Sequence, residues 1–175
     1  MMNMLVRTKL KKVLEDNRVQ DFPIPGVNFI DIQPLFQDPI LLGKVIDALC
    51  DKVWHLDFDL ILCLDARGFL FAPQVAMKLG KPMLMVRKQG KLPPPVVEFP
   101  ATKEYGSDIL CFSERVKNYK RVLIIDDVIA TGGTVTAVTK AVESLGLEVE
   151  GVLALIDIPG LQSNFIMRKH TLISF

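Results

Sequence analysis

The sequence from residue 122 to residue 134 is Val122-Leu123-Ile124-Ile125-Asp126-Asp127-Val128-Ile129-Ala130-Thr131-Gly132-Gly133-Thr134. Its first four residues are apolar and mostly β-branched, which is typical of a strand buried on both faces of a sheet. Two aspartates follow at the predicted end of the strand, and a turn rich in threonine and glycine comes next. Apolar residues then recur at helical spacing from Val135 to Leu145. The pattern predicts a strand, a loop and a helix, and open α/β sheets bind ligands at such a loop.

The atoms of this loop suit a ligand that carries both a phosphate and a sugar. Its two glycines let the backbone approach the ligand closely, and the amide groups at a helix N-terminus point at an anion. Its two threonines add hydroxyl groups. The aspartates repel a phosphate, but carboxylates accept hydrogen bonds well from sugar hydroxyls. A phosphoribosyl group meets both requirements.

The stretch closely resembles the motif with which type I phosphoribosyltransferases bind 5-phosphoribosyl 1-diphosphate. An ordinary glycine-rich turn between a strand and a helix is the weaker interpretation, because the loop is long and its residue types are restrictive. A Walker loop would need a lysine after the glycines, and a dinucleotide fingerprint would need three spaced glycines. The resemblance implies that the 5-phosphate is bound by five loop residues, Ala130, Thr131, Gly132, Gly133 and Thr134. It also implies that Asp126 and Asp127 bind the ribose hydroxyls and stabilise a cationic ribose, which makes Asp127 a candidate catalytic residue.

A loop with two prolines and a glycine covers residues 21–29, where regular structure is disfavoured. Its segment Pro-Gly-Val-x-Phe-x-Asp is similar to the hood over the base in adenine phosphoribosyltransferases. The resemblance implies that Phe29 stacks on the purine and that backbone groups near Val27 and Ile30 bind its edge. Many relatives have arginine where this chain has Ile30. The alternative for Phe29 is an aromatic residue that only packs.

A second ligand loop is expected after the apolar run 60–64, where Asp65-Ala66-Arg67-Gly68 precedes a predicted helix over 69–79. An arginine beside a glycine suits a pyrophosphate oxygen, because the guanidinium donates two hydrogen bonds and the glycine lets amides approach. The segment resembles Glu-Ala-Arg-Gly-Phe of the adenine phosphoribosyltransferases, whose members often have a cis peptide bond here. Arg67 is therefore a candidate for pyrophosphate binding.

Three cations follow the predicted strand 82–86, at Arg87, Lys88 and Lys91. A solvated surface cluster is the ordinary interpretation of such a run. Because these residues follow a central strand, we favour a clamp for pyrophosphate, and they resemble Arg-Lys-x-Gly-Lys-Leu-Pro of the same family.

Residues 87–107 contain several prolines and show no clear periodicity, so we expect a lid loop over the active site. Glu104-Tyr105-Gly106 is similar to the Glu-Tyr-Gly of the family's lids. The resemblance implies that Glu104 is the acid or base that handles the proton on the adenine ring, and that Tyr105 shields the site from water. The residue before the glutamate is Lys103, whereas leucine is usual there.

Composition sets outer limits on the class of protein. The chain has 175 residues, half of them hydrophobic, and a formal net charge of +1, so no global basic field attracts nucleic acid or membrane. Its three cysteines are widely spaced, which favours reduced core thiols. The short apolar N-terminus is soon interrupted by basic residues, so neither a signal peptide nor a membrane span is expected. We expect a soluble, cytoplasmic protein with a single domain over residues 1–175.

Alternating strands and helices predict an α/β fold with a mostly parallel, twisted sheet flanked by helices. Residues 1–36 are expected to form an N-terminal helix and the hood. A second helix is expected after Asp38-Pro39, and a further strand over residues 149–157.

The resemblance implies a purine salvage enzyme that transfers a 5-phosphoribosyl group from phosphoribosyl diphosphate to adenine, giving AMP and pyrophosphate. Magnesium is expected to arrive with the diphosphate, because the sequence has no visible set of protein metal ligands. The resemblance also implies a homodimer. Two alternatives stay open: a phosphoribosyltransferase for guanine, xanthine or orotate, and a non-catalytic regulator that senses phosphoribosyl diphosphate while binding RNA or DNA. The regulator would be expected to carry an added DNA-binding domain or a strongly basic surface.

Overall fold

A computed structural model of the chain describes residues 2–103, 106–162 and 165–175. The α-helices are α1 Met4–Asp16, α2 Pro39–Val53, α3 Ala72–Leu79 and α4 Gly133–Ser144. The strands are β1 Arg18–Val19, β2 Phe29–Ile30, β3 Leu60–Leu64, β4 Met83–Lys88, β5 Val96–Lys103, β6 Gly106–Ser113, β7 Arg121–Ile129, β8 Glu148–Asp157 and β9 Lys169–Ser174. Short 3₁₀ helices lie at Gln33–Gln37, Arg67–Leu70, Glu114–Asn118 and Pro159–Leu161.

Within the described residues, seven strands form one sheet in the order β5-β6-β4-β3-β7-β8-β9. Strands β4, β3, β7, β8 and β9 are parallel, and β6 and β5 extend the sheet in antiparallel fashion. Because β4, β3 and β7 are parallel neighbours, their carboxyl ends meet at one edge, where open α/β sheets bind ligands. The α/β fold with a mainly parallel sheet, predicted from the sequence, is confirmed.

Strand β3 shows how the sheet is buried on both faces. Ile61 and Cys63 belong to the core formed with α1, α2 and α3, whereas Leu60, Leu62 and Leu64 belong to the core under α4. This alternation follows from the two-residue period of a strand. Three helices therefore cover one face of the sheet, and α4 covers the other.

The first two helices form as their sequences predict. The Asp38 side chain caps α2, since its Oδ1 accepts a hydrogen bond of 2.9 Å from the amide of Leu41. Helix α1 buries Val6, Leu10 and Leu14 on one face. Across the described residues, none of the helices has the length and apolar character needed to cross a membrane.

The cysteines are also as expected. Cys50, Cys63 and Cys111 are buried free thiols, and burial raises the pKa of Cys63 to about 12. A thiol with so high a pKa is protonated at neutral pH, so Cys63 is a core residue and not a nucleophile.

Strand β7 is longer than its apolar start suggests. The sequence predicts that it ends at the paired aspartates, but it continues to Ile129, which pairs with Asp157 of β8. The apolar residues Val128 and Ile129 carry the strand past the two carboxylates. Asp126 and Asp127 therefore lie within β7, near its carboxyl end, and the loop begins at Ala130.

Part of the span expected to be a loop is a strand. Residues 96–103 form β5 at the edge of the sheet and pair with β6. Phe99 and Ala101 are buried in alternation, but Pro100 between them hides that pattern in the sequence. An edge strand tolerates proline because one side of its backbone has no strand to bond. Glu104 and Tyr105 lie outside the described residues.

Two shorter segments also differ from expectation. The helix predicted over 69–79 is divided into the 3₁₀ turn Arg67–Leu70 and α3, with Pro73 in the first turn of α3. In the hood, Phe29–Ile30 pairs with Arg18–Val19 in a small antiparallel sheet, although prolines precede it. Long-range pairing supplies hydrogen bonds that local propensity does not anticipate.

Candidate active site

The loop after β7 encloses a small cavity at the N-terminus of α4. The cavity has a volume of about 90 Å³ and is lined by residues 126 and 128–135. Gly132 caps the helix with φ of +80°, a left-handed conformation that favours glycine. Backbone amides at a helix N-terminus, two hydroxyl groups and a cavity of this size suit a phosphate group.

The two aspartates at the end of β7 have different environments. The side chain of Asp127 is buried, with 4% exposed, whereas Asp126 is half-buried and lines the loop cavity. The Oδ1 of Asp126 accepts a hydrogen bond of 2.8 Å from the amide of Asp127. Burial and the negative charge of Asp127 raise the pKa of Asp126 well above its usual range.

Arg67 connects the loop after β3 to this carboxylate pair. Its Nε lies 2.8 Å from Oδ2 of Asp127, and its Nη1 donates to the main-chain oxygen of Ile30 at 3.3 Å. The Asp127 oxygen does not have hydrogen-bond geometry toward this or another described group, so the contact is an ion pair only. The guanidinium therefore lies between the hood and the end of β7.

Phe29 is on the other side of the same guanidinium. The Arg67 guanidinium carbon lies 4.7 Å from the centroid of the Phe29 ring, and Phe22 contacts that ring edge-on at 5.1 Å. A cavity of about 810 Å³ opens beside these residues and is lined mainly by apolar side chains of the hood. Because Arg67 covers one face of the ring, a flat base can stack on Phe29 only on the other face or by moving the arginine.

The hood is held by its own backbone. The amide of Phe22 donates to the main-chain oxygen of Val27 at 3.2 Å, and the amide of Val27 donates to that of Ile24 at 3.3 Å. Both main-chain groups of Val27 are thus engaged within the loop. The sequence assigned Val27 to the base site, and that role stays a prediction.

Gly68 lets the 3₁₀ turn after β3 approach β7 closely. A Cβ atom at Gly68 would lie 2.9 Å from the main-chain oxygen of Ile125 and 3.4 Å from Oδ1 of Asp126. A side chain at this position would push Arg67 away from Asp127. The peptide bond between Asp65 and Ala66 is cis, as the resemblance implies.

Two of the predicted basic residues, Arg87 and Lys88, are the last residues of β4 and do not follow it as the sequence suggests, because β4 extends to pair with β6. Both are paired with acidic residues. The Nε of Arg87 lies 2.9 Å from Oδ2 of Asp65, and the Nζ of Lys88 lies 3.2 Å from Oδ2 of Asp108. The Nη1 of Arg87 also donates to the main-chain oxygen of Lys91 at 3.4 Å. These contacts hold the cations at the edge of the sheet while leaving guanidinium and ammonium protons for a ligand.

A third cavity joins this basic edge to the loop of residues 130–134, which we call the phosphate loop after its predicted ligand. It has a volume of about 310 Å³, and its lining includes Asp65, Ala66, Lys88 and Thr134. Thr134 also lines the cavity inside the loop. Two neighbouring cavities therefore share one wall, and each offers donors to an anion.

The carboxylates suit a magnesium ion that comes with a phosphate ligand. Within residues 2–103, 106–162 and 165–175, no group of three or more histidine, cysteine, aspartate or glutamate residues could hold a metal alone. Asp126 lines the loop cavity and offers hard oxygen ligands there. Magnesium usually takes one or two carboxylates together with waters and substrate phosphates, so this donor set fits.

The structure brings most predicted site residues to one edge of the sheet. Those at the carboxyl ends of β3, β4 and β7 meet through the pairs Arg67 with Asp127 and Arg87 with Asp65. Lys91 is exposed and contributes its main-chain oxygen to Arg87. Glu104 and Tyr105 lie outside the described residues, so their places in the site stay predictions.

The pairing of Asp65 and Asp108 with the basic residues is not visible in the sequence. Asp65 is 22 positions before Arg87, and Asp108 is 20 positions after Lys88. The only signal was the position of Asp65 directly after a buried strand, where polar residues meet a ligand. The identity of its partner depends on β3 and β4 being neighbours.

Comparisons with known proteins agree on one family. Residues 36–163 match the family described as the phosphoribosyl transferase domain. The curated adenine phosphoribosyltransferase of Caenorhabditis elegans is 42% identical to this chain over 159 residues, covering 89% of this chain and 85% of that protein.

Solved structures are similar over nearly the whole chain. The crystal structure of adenine phosphoribosyltransferase from Thermoanaerobacter pseudethanolicus has a TM-score of 0.87 at 35% identity, covering 97% of this chain and 99% of that one. The enzyme from Saccharomyces cerevisiae, complexed with D-2,5-dideoxy-2,5-imino-altritol 1,6-bisphosphate and adenine, has a TM-score of 0.85 at 34% identity. That match covers 98% of this chain and 100% of the yeast chain.

Proposed function

The chain belongs to the adenine phosphoribosyltransferase family, and from this membership we propose that it transfers the 5-phosphoribosyl group of phosphoribosyl diphosphate to adenine. The products are AMP and pyrophosphate, and the physiological role is purine salvage. The reaction breaks the bond between the anomeric carbon and a diphosphate oxygen and forms a bond from that carbon to a ring nitrogen of adenine. The proton of that nitrogen is released.

The main structural support for the proposal is a residue shared by two neighbouring cavities. Thr134 lines both the cavity inside the phosphate loop and the cavity that contains Asp65 and Lys88. A ligand with a phosphate at one end and a diphosphate at the other can use the two cavities together. The carboxylate of Asp126 lines the loop cavity and can accept hydrogen bonds from the ribose hydroxyls.

The residues of the chain act mainly through charge. As the bond to the diphosphate breaks, positive charge develops on the ribose, and the carboxylates of Asp126 and Asp127 stabilise it. Arg87, Lys88 and Lys91 bind the departing pyrophosphate, and Arg67 joins them if its guanidinium moves away from Asp127. Magnesium carried by the diphosphate, with Asp126 as a candidate carboxylate ligand, would supply charge neutralisation to the leaving group.

The lid completes the site in this proposal. Glu104 accepts the proton that adenine releases, and Tyr105 keeps water from the ribosyl cation. Water must be excluded because it would otherwise attack the same carbon as the base.

Adenine is favoured as the base by the hood. Phe29 offers a ring for stacking, and the main-chain oxygen of Ile30 is available to the edge of a base once Arg67 moves. A backbone acceptor can bind the amino group of adenine but not the oxygen that guanine, xanthine and orotate present at related positions. A regulator that senses phosphoribosyl diphosphate while binding nucleic acid is disfavoured by the near-neutral net charge of +1.

We also propose a homodimer in the cytoplasm. Exposed apolar side chains at Val19, Phe22 and Leu70 line one wall of the large cavity beside the hood. A second copy packed on these side chains would remove apolar surface from water, which favours dimerisation.

The test is an assay of product formation. The protein is incubated with magnesium, phosphoribosyl diphosphate and, in turn, adenine, guanine, hypoxanthine, xanthine and orotate. We expect AMP from adenine and at least about 100-fold lower kcat/KM for the other bases, because unpaired polar groups in a binding site are strongly disfavoured. Equal rates with another base, or no product with any base, would refute the proposal.

A further inference from the structure

A buried polar cluster lies beside the phosphate loop and has no role in the chemistry above. Asp157, at the end of β8, has only 6% of its surface exposed. The Nζ of Lys169 donates to both of its carboxylate oxygens, at 2.8 and 3.1 Å. Burying this carboxylate costs desolvation energy, which the ammonium group of Lys169, with its side chain 27% exposed, offsets.

Gln162 connects this ion pair to the entrance of the loop. Its Nε2 donates to Oδ1 of Asp157 at 2.7 Å and to the main-chain oxygen of Ile129 at 3.1 Å. Its Oε1 accepts from Nζ of Lys169 at 2.8 Å. Both amide protons and the amide oxygen are therefore engaged, which fixes the orientation of the side chain.

Ile129 is the last residue of β7 and directly precedes the loop. Its main-chain oxygen also accepts from the amide of Ile158 at 3.0 Å. Two donors on one carbonyl hold the peptide plane at which the chain leaves the sheet. The amide of this same peptide unit belongs to Ala130, the first loop residue.

Phe165 contacts the loop at its other end. A Cβ atom on Gly132 would lie only 2.2 Å from Cδ2 of Phe165, so the ring packs directly on the glycine backbone. Among the described residues, the loop cavity is lined by 126 and 128–135, so the ring contacts Gly132 from outside the cavity. The Nζ of Lys169 lies 5.9 Å from the ring centroid, which joins this contact to the polar cluster.

We propose that Asp157, Gln162, Lys169 and Phe165 are positioning residues that hold the phosphate loop in its binding conformation. The cluster fixes the loop at Ile129, and the aromatic ring fixes it at Gly132. Amides that are held in place before the ligand arrives bind an anion more tightly, because less order is lost on binding. This inference rests on the proposed function only in taking the ligand of the loop to be the 5-phosphate of phosphoribosyl diphosphate.

The test compares the two substrates. In Gln162→Met the side chain keeps its length but loses its donors, and we expect KM for phosphoribosyl diphosphate to rise about fivefold, as for one lost hydrogen bond. KM for adenine should change by less than about twofold, because the hood is not involved. Ser144→Ala is the control, since it removes a side-chain hydrogen bond of 2.8 Å to the main-chain oxygen of Ala141 at the end of α4 that is far from the loop. The control should leave KM for phosphoribosyl diphosphate unchanged.

Phe165→Leu gives an independent second variant at the other end of the loop. We expect it to weaken binding of ribose 5-phosphate, measured by calorimetry without the second substrate, by about threefold or more. A general loss of stability would instead lower the melting temperature and the active fraction while leaving both KM values and the dissociation constant unchanged. That result, or an equal rise in both KM values, would overturn the inference.

The two proposals fail in different ways. If the wild-type protein binds ribose 5-phosphate but forms no AMP, the proposed function is wrong, and calorimetry on Gln162→Met still tests the positioning role. If the wild type forms AMP and neither variant weakens binding of the ribose phosphate ligand relative to adenine, the positioning role is wrong. The proposed function then stands.

Discussion

The Nε of Arg67 lies 2.8 Å from Oδ2 of Asp127, which joins the loop after β3 to the end of β7. The carboxylate of Asp127 is buried, whereas the arginine side chain is 35% exposed. A solvent-accessible cation thus balances a buried anion at the centre of the site. Because the arginine also contacts Phe29 and Ile30, its movement would couple the base site to the ribose site.

The first prediction removes the charge of Asp127. Asp127→Asn should lower kcat for AMP formation by about 100-fold, because a fixed negative charge no longer stabilises the cationic ribose. The side chain keeps its size, so circular dichroism should show the wild-type fold. Asp16→Asn, on the exposed face of α1 where Asp16 pairs with Lys12, is the control and should keep wild-type activity. Wild-type rates for Asp127→Asn would remove this residue from the mechanism.

The second prediction concerns how the free energy of unfolding depends on pH. Burial and the charge of Asp127 raise the native pKa of Asp126 above its ordinary value of 3.8. As the pH rises above that value, the unfolded chain releases the proton while the native state retains it. The free energy of unfolding therefore falls as the pH rises from the unfolded to the native pKa, and it stays at the lower value above the native pKa.

Asp126→Asn has no proton to release, so it should gain stability relative to the wild type over this window. The difference in melting temperature between variant and wild type should be smallest near pH 4 and should grow as the pH rises through the native pKa. Differential scanning fluorimetry of both proteins from about pH 4 to pH 8 measures it. A difference that is constant or shrinks with pH would contradict the raised pKa.

The third prediction concerns Glu104. If it accepts the proton of adenine, Glu104→Gln should lower kcat by roughly 100-fold to 10,000-fold, the usual range for a general base. Glu98→Gln is a control on β5, where the carboxylate accepts a hydrogen bond of 2.8 Å from Gln89, and it should keep most of the activity. Rates for Glu104→Gln that match this control would assign the proton transfer to another group.

The local motifs were predictable because each lies in one continuous stretch. The phosphate loop from Ala130 to Thr134 follows a buried strand in the sequence, so its residue types and spacing already indicate its position. The same is true of the loop that carries Arg67. For both loops, composition and position in the chain are sufficient to predict an anion site at the edge of a sheet.

Contacts between distant residues could not be predicted in this way. Gln162 reaches Ile129 across 33 positions, and this depends on the register of β8 against β7. Strand β5 was missed because Pro100 interrupts its pattern, although an edge strand accepts proline. Strand order and register arise from packing of the whole sheet, which no single stretch of sequence specifies.

The fourth prediction concerns magnesium. Chelation by excess EDTA should lower the rate of AMP formation by about 100-fold or more, because the charge of the departing diphosphate is no longer neutralised. Added magnesium should restore it. The melting temperature without substrate should not change on chelation, since among the described residues no cluster holds a metal by itself. A fall in that temperature would indicate a resident structural ion.

The fifth prediction concerns Gly132 and uses a second glycine as a measure of backbone strain. Gly132 has φ of +80° and Gly146 has φ of +79°, so alanine at either position incurs a similar strain of roughly 1 kcal/mol. A Cβ at Gly146 would meet open space, whereas at Gly132 it would lie 2.2 Å from Phe165. Gly132→Ala should therefore cost more free energy of unfolding than Gly146→Ala, by about 1 to 3 kcal/mol.

Phe165→Ala decides whether the ring causes this excess. In the Phe165→Ala background, Gly132→Ala should cost no more than Gly146→Ala, because the backbone strain is then the only cost left. Urea denaturation of the single and double variants gives the coupling energy between the two positions. A coupling energy near zero would show that the ring does not pack on Gly132 in solution, since the glycine would then be needed for its conformation alone.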